Sequence, residues 1–209
     1  MLVLASASPR RRDLLTQAGF TFQVDSIPIA EVRQPGESPE QFVRRLAREK
    51  AEVVFHARTV EPNVRSSTES LIVLGADTVV VCDNEVMGKP ADEAAAVRML
   101  RMLSGKTHRV LTGVCLISSA GIDIALESTS VTMRALSEEE IRAYVATGEH
   151  VDKAGAYAIQ GRASRFIPKI SGCYFNVVGL PVARVSAMLK DAEQQLSLSA
   201  GTYSCDVKP

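Results

Sequence analysis

Hydrophobic positions along the chain switch between a strand-like period of two and a helix-like period near 3.6, which predicts an α/β fold. Residues 2–5 read as a short apolar strand. Residues 9–18 read as a helix closed by Gly19, with Ser8 as its cap and Pro9 in its first turn. Residues 20–25 read as a second strand. A polar, proline-containing stretch from Ile27 to Pro39 leads into a long helix over about 39–57, capped by Ser38. Residues 59–70 form a polar loop, predicted to be the most mobile internal segment. Leu71 to Val81 is a strong strand that turns at Asp83-Asn84. Residues 92–103 are a helix stopped by Ser104-Gly105. Residues 107–119 and 122–135 form a hairpin around Ala120-Gly121. Ser137 and Glu140 have capping-box spacing for a helix over 138–146. A strand near 165–170, a helix near 182–195 and a loose polar end complete the reading.

Three positions break this pattern, and each break is a chemical clue. The strand from Leu71 to Val81 is apolar on both faces, so it belongs inside a sheet covered on both sides. Asp77 stands in its middle, on the face of Val73 and Val79. A buried carboxylate without a partner costs several kcal/mol or takes up a proton. Asp77 is therefore either a structural residue bonded to backbone or a group with a metal, a basic partner or a proton to handle. Lys50 sits among Leu46, Ala47, Val53 and Val54, on the core-facing stripe of the long helix. It either snorkels to water or reaches through the stripe to an anion. Arg10, Arg11 and Arg12 crowd a helix first turn, where the helix dipole favours negative charge. With Ser8 and free N–H groups nearby, the turn reads as a phosphate site or as a solvated basic surface.

Bulk properties narrow the function. Lys plus Arg equals Asp plus Glu at 24 each, giving zero net charge. The arginines are thus local features rather than part of a broad basic field, and nucleic acid is not an expected partner. Arg45 and Glu49 have i,i+4 spacing, as on a solvated helix face. No apolar run reaches membrane-spanning length, and no secretory leader pattern opens the chain, so a cytoplasmic location is expected. The four cysteines are dispersed, as for reduced thiols, and the three histidines form no zinc pattern. Any metal would be a hard ion held by carboxylates and phosphate oxygens.

The segment Asp152-Lys153-Ala154-Gly155-Ala156-Tyr157-Ala158-Ile159-Gln160-Gly161 brackets an apolar stretch with glycines. It suits close approach of backbone to a ligand, with Gln160 able to read a base edge, or a tight turn before a strand. Gly88-Lys89-Pro90 is a loop motif and not a P-loop, since neither G-x-x-x-x-G-K-[ST] nor G-x-G-x-x-G occurs.

Five motifs in order carry a resemblance: Leu-Ala-Ser-Ala-Ser-Pro-Arg-Arg at 4–11, Gly-Ala-Asp-Thr at 75–78, Gly-Lys-Pro at 88–90, the ten residues at 152–161, and Val-Gly-Leu-Pro at 178–181. Together they resemble the Maf family of nucleoside triphosphate pyrophosphatases, also called septum formation inhibitor proteins. The resemblance covers about residues 1–190, as one domain, and leaves 191–209 as a tail. It implies a long mixed β-sheet with flanking helices, two lobes around a cleft, related to inosine triphosphatase, and a homodimer. It implies cleavage of a nucleoside triphosphate to monophosphate and pyrophosphate with a divalent cation, Mg²⁺ or Mn²⁺. On that resemblance Asp77 is the catalytic or metal-site carboxylate and Glu31 the second metal ligand. Arg11, Lys50 and Lys89 bind phosphate alongside Ser8, and Arg10, Thr78 and Gln160 set the base preference. Those three residues resemble the dTTP/UTP subgroup rather than the 7-methyl-GTP subgroup. Gly88, where that subgroup often has Glu, and Arg162-Ala163-Ser164 depart from the subgroup pattern. The alternative is a nucleotide-binding regulator of division without turnover.

Overall fold

In the computed structural model, which describes residues 1–60 and 71–201, the elements follow in the order β1 (Leu2–Ala5), α1 (Pro9–Gln17), β2 (Phe22–Val24), α2 (Pro39–Val60), β3 (Ile72–Cys82), β4 (Glu85–Met87), α3 (Glu93–Leu103), β5 (Thr107–Ser118), β6 (Gly121–Thr132), α4 (Glu138–Val145), β7 (Lys169–Ser171), α5 (Tyr174–Val178) and α6 (Val182–Gly201). Short 3₁₀ turns occupy Ala154–Ala156 and Arg162–Phe166. The strands form one mixed sheet in the order β2-β1-β3-β5-β6-β7, with β4 folded back on β3. β1 pairs parallel with both β2 and β3, while β3, β5, β6 and β7 are successively antiparallel. This is the α/β arrangement that the two periodicities predict.

β3 is the central strand, and its two faces meet different layers. Val73, Gly75, Asp77 and Val79 face α2. Two apolar patches lie there, one of Val3, Ala47, Ala51, Val54, Val73 and Cys115, the other of Phe42, Val43, Leu46, Val79 and Leu111. Leu74, Ala76, Val80 and Cys82 face the larger core, built with Leu100 and Leu103 of α3 and with Tyr144, Phe166 and Val185 from the C-terminal half. Gly75 lets α2 settle directly on the sheet. A methyl group there would overlap the Ala47 carbonyl and come within 2.9 Å of the Ala51 nitrogen. α2 therefore lies close enough for a lysine on its sheet-facing side to meet a residue of β3.

Helix ends follow sequence chemistry with one exception. The Ser38 hydroxyl accepts from Gln41 N at 3.1 Å, and the Gln41 side chain accepts in return from Ser38 N at 2.8 Å. Ser137 and Glu140 form the expected capping box. Ser8 occupies the cap position of α1, but its side chain makes no capping bond, so the hydroxyl is not the cap that its position suggests.

Other departures are local. The segment expected as a strand near 165–170 is mostly a 3₁₀ turn, and only Lys169–Ser171 pairs with β6. The last helix runs on to Gly201, so the first part of the expected tail is helical; residues 202–209 lie outside the described residues. α2 extends through Val60, and the rest of the polar loop expected at 59–70 also lies outside them. Among the described residues no helix is long and apolar enough to cross a membrane.

Candidate active site

A cleft of about 1150 Å³ opens beside β3, between α1, α2 and the 149–161 segment. All nine residues singled out from sequence, Ser8, Arg10, Arg11, Glu31, Lys50, Asp77, Thr78, Lys89 and Gln160, line it. They come from six separate stretches of chain that only the tertiary fold brings together.

The floor is set by β3 and α2. Asp77 is 6% exposed, and Lys50 Nζ reaches its Oδ1 at 2.6 Å. The same ammonium lies 2.6 Å from Glu31 Oε1, carried by the coil after β2. Lys50 thus does not snorkel to open water: it crosses the apolar stripe and holds two carboxylates. Their protonation is pushed apart. Burial raises the Asp77 pKa, against the opposing charges of Lys50 and Arg11. For Glu31 burial also pulls upward, but the hydrogen bond from Lys50 and the charges of Lys50, Lys89 and Arg11 outweigh it and hold the group below its ordinary value. One carboxylate is inclined to take a proton and its neighbour to stay anionic, which is how a polar site divides acid–base roles.

The three arginines of α1 go three ways. Arg11 is buried and turned inward. Its guanidinium donates to Gly179 O at 2.9 Å, Ala76 O at 2.8 Å, Ser6 Oγ at 3.1 Å and Thr78 Oγ1 at 3.0 Å. Burial lowers its pKa, opposed by Asp77. It brings positive charge to the cleft wall while fixing β3 and the 179 turn, a more structural arrangement than a free phosphate ligand. Arg10 donates to the Asp152 carbonyl at 2.8 Å and so ties α1 to the 152–161 segment. Arg12 is exposed, 3.8 Å from Asp13, and does not line the cleft. The basic turn is thus not one anion cradle.

The remaining residues sit around the mouth. The Thr78 hydroxyl bonds Arg11 and lies 2.9 Å from Thr112 Oγ1. Lys89 is exposed, 3.7 Å from the Asp152 carboxylate. Gln160 is exposed on the opposite wall. A floor of paired carboxylates and ammonium, cationic side chains at the mouth and an amide on the far wall suit a ligand with a polyanionic end and a polar ring.

The family model described as "Maf-like protein" matches residues 1–192. The chain belongs to the Maf family. A relative from Koribacter versatilis (strain Ellin345), named dTTP/UTP pyrophosphatase, is 51% identical over 191 residues, covering 91% of this chain and 94% of the relative. One from Escherichia coli O157:H7 with the same name is 48% identical over 190 residues, covering 91% and 92%. Among solved structures, the Staphylococcus aureus Ham1 protein is similar at a TM-score of 0.46 and 10% identity, covering 91% of this chain and 98% of that one.

In this Maf chain the cleft also holds groups that the sequence reading passed over. Arg33 and Glu149 line it, and the Gly179 carbonyl, in what reads as a plain turn into α6, is an acceptor for Arg11. Arg11 itself carried a signal: Leu14 and Leu15, three and four residues on, are both buried, so helical spacing already turns it toward the core.

Proposed function

We propose that this chain is a pyrophosphatase that hydrolyses dTTP and UTP to the nucleoside monophosphate and pyrophosphate. The observation that carries the reading is the buried Asp77 carboxylate, held 2.6 Å from Lys50 on the floor of a nucleotide-sized cleft. The names of relatives 51% and 48% identical to it support the same activity. Water attacks the α-phosphorus in line. The new O–P bond forms as the bond from the α-phosphorus to its bridging oxygen breaks, and pyrophosphate leaves. Asp77 accepts the proton of the attacking water, a task suited to a carboxylate whose pKa burial has raised. Lys50, Lys89 and the charge of Arg11 offset the negative charge that develops on the phosphates. Arg10, Thr78 and Gln160 favour thymine and uracil, whose pairing edge needs both a donor and an acceptor, which one amide supplies.

A divalent cation, Mg²⁺ or Mn²⁺, belongs to this proposal, with Asp77 and Glu31 as the protein's ligands. The donor set fits: two carboxylates already converge on one compact cation, the Lys50 ammonium, at 2.6 Å each. Among the described residues no group of three or more His, Cys, Asp or Glu gathers, so Asp77 and Glu31 would hold the ion together with phosphate oxygens of the substrate and water. When bound, such an ion supplies charge neutralisation at the phosphates. A homodimer and a cytoplasmic location accompany the reading; sedimentation velocity and cell fractionation test them.

An early time point with dTTP is expected to contain dTMP and pyrophosphate. Chromatography that finds dTDP and orthophosphate instead overturns the bond assignment, and nucleotide binding without products favours the regulator reading. Chelation with EDTA is expected to abolish turnover, and Mg²⁺ or Mn²⁺ to restore it; full activity after exhaustive chelation removes the metal from the proposal.

A further inference from the structure

The wall that carries Gln160 is an irregular segment, and two side chains from the C-terminal end of α4 and the turn after it grip it on either side of that residue. The Tyr144 hydroxyl, fully buried, accepts from Ala158 N at 3.0 Å. The Glu149 carboxylate accepts from Arg162 N at 2.7 Å. One grip falls two residues before Gln160 and the other two residues after it. The gripping residues are themselves linked. Thr147 Oγ1 donates to Tyr144 O at 2.6 Å and accepts from Glu149 N at 3.3 Å.

The second grip depends on a close approach. Gly161 lies against the Glu149 carboxylate: a methyl group at 161 would overlap Oε2 and stand 2.9 Å from the carboxyl carbon. Only a residue without a side chain lets Glu149 come down on the backbone at Arg162 N. Glu149 has a half-buried side chain and lines the same cleft as Gln160. Its other oxygen is 3.6 Å from Arg162 Nε, an exposed contact of little weight. Gln160 has no such support of its own: it is exposed, and its amide makes no hydrogen bond to any described residue.

We propose that Glu149 is a positioning residue for base recognition: its carboxylate, seated on Gly161 and bonded to Arg162 N, holds Gln160 in the pose that meets the pyrimidine edge. This rests on the pyrophosphatase reading above and deepens it. Glu149 does not touch the reacting phosphorus. Its contribution is to make the amide of Gln160 wait in place, so that binding does not have to order the segment. Phosphate binding, which belongs to Lys50, Lys89 and the charge of Arg11, does not use the Glu149 contact.

The test compares Glu149→Ala, Glu149→Gln and Gly161→Ala with wild type. KM and kcat are measured for dTTP and UTP, together with competitive inhibition by inorganic tripolyphosphate and the melting temperature. Removal of a charged acceptor from a backbone donor predicts that Glu149→Ala raises KM about tenfold with kcat within about threefold. Tripolyphosphate, which has no base, should inhibit Glu149→Ala as it inhibits wild type. Glu149→Gln keeps an acceptor of the same reach and is expected to restore most of the KM. Gly161→Ala should raise KM similarly in the wild-type background and add little in Glu149→Ala, because both break one contact. An unchanged KM in Glu149→Ala overturns the proposal, as does equal damage from Ala and Gln. So does a loss of tripolyphosphate inhibition that matches the loss for dTTP. If wild type itself releases no pyrophosphate from dTTP, the pyrophosphatase reading falls; normal wild-type turnover with an unaffected Glu149→Ala sinks the clamp alone.

Discussion

The two walls of the cleft are built in opposite ways. The floor is regular structure: Asp77 in the middle of an eleven-residue strand, Lys50 on a long helix pressed onto that strand at Gly75. The base wall, 152–161, has almost no regular pairing and carries strained backbone. Asp152 and Ala156 adopt positive φ, 58° and 62°, where side chains are disfavoured. That wall is held by point contacts: Arg10 on the Asp152 carbonyl, Gly155 N on Gly88 O, His108 with the Tyr157 hydroxyl at 2.8 Å, Tyr144 at Ala158 and Glu149 at Arg162. Burial takes the His108 pKa down to about 4, so it meets Tyr157 as a neutral ring near pH 7. On the proposed reading, the chemistry common to all triphosphates thus rests on elements whose geometry many residues share, and selection of the base on a segment in which one side chain moves one residue. Mutations should separate the two: floor changes act on rate or on global stability, wall changes on affinity and base choice.

The sharpest separation is expected at Asp77. Asp77→Asn keeps the volume and the strand but removes the proton acceptor, and turnover should fall by about two orders of magnitude or more. Because burial raises the Asp77 pKa in the folded protein, its ionisation costs stability as pH rises through that pKa. Asn carries no such cost, and the melting temperature near neutral pH should hold or rise. The same shift puts the acid limb of the wild-type pH–rate profile above the ordinary aspartate range. Activity within a few-fold of wild type in Asp77→Asn, or an acid limb at the ordinary value, would break the assignment.

Next in size is a change that touches no functional group. Gly75→Ala drives a methyl into the α2 backbone, which has no flexible side chain there to give way. Overpacking of this kind costs about 1–3 kcal/mol or more. Urea titration should show that loss, and kcat should drop with it as α2 lifts Lys50 away from Asp77. Full stability would mean that the helix is not seated on the sheet as described.

The same contrast explains what was legible in the sequence. Asp77 and Lys50 stand out because each violates a strict periodicity, and a regular element turns a violated period into a direction. The capping box at Ser137 and the turn at Asp83-Asn84 are legible for the same local reason, with φ of 49° and 66° at the turn. The direction of Arg11 was present in the spacing to Leu14 and Leu15, masked by two more arginines beside it. Glu31 has no period to violate. It lies in coil, and only the family resemblance pointed to it before the Lys50 contact did. Glu149 left no sequence signal except Gly161, whose purpose shows only once the carboxylate is seen against it. The Ser8 hydroxyl fails as a cap although its residue type and position are right, because cap preference describes many helices and not this one.

The smallest effect should come from Gln160, the residue proposed to read the base. Gln160 is exposed and packs against nothing that the fold needs, so Gln160→Glu should move the melting temperature little. An ionised Glu only accepts hydrogen bonds, whereas the imide edge of thymine or uracil presents carbonyls beside an N–H. One contact is then lost and one carbonyl faces a negative oxygen. A buried or partly buried polar group left unpaired in this way costs about tenfold or more in kcat/KM. The loss should appear for dTTP and UTP alike, while 7-methyl-GTP, with a donor-rich edge, should lose less or gain. Wild type should rank dTTP and UTP above 7-methyl-GTP in the same panel. If Gln160→Glu lowers all three equally, the residue acts through the wall's shape rather than through its amide. If 7-methyl-GTP leads the wild-type panel, the base assignment fails while the reaction at the floor stands.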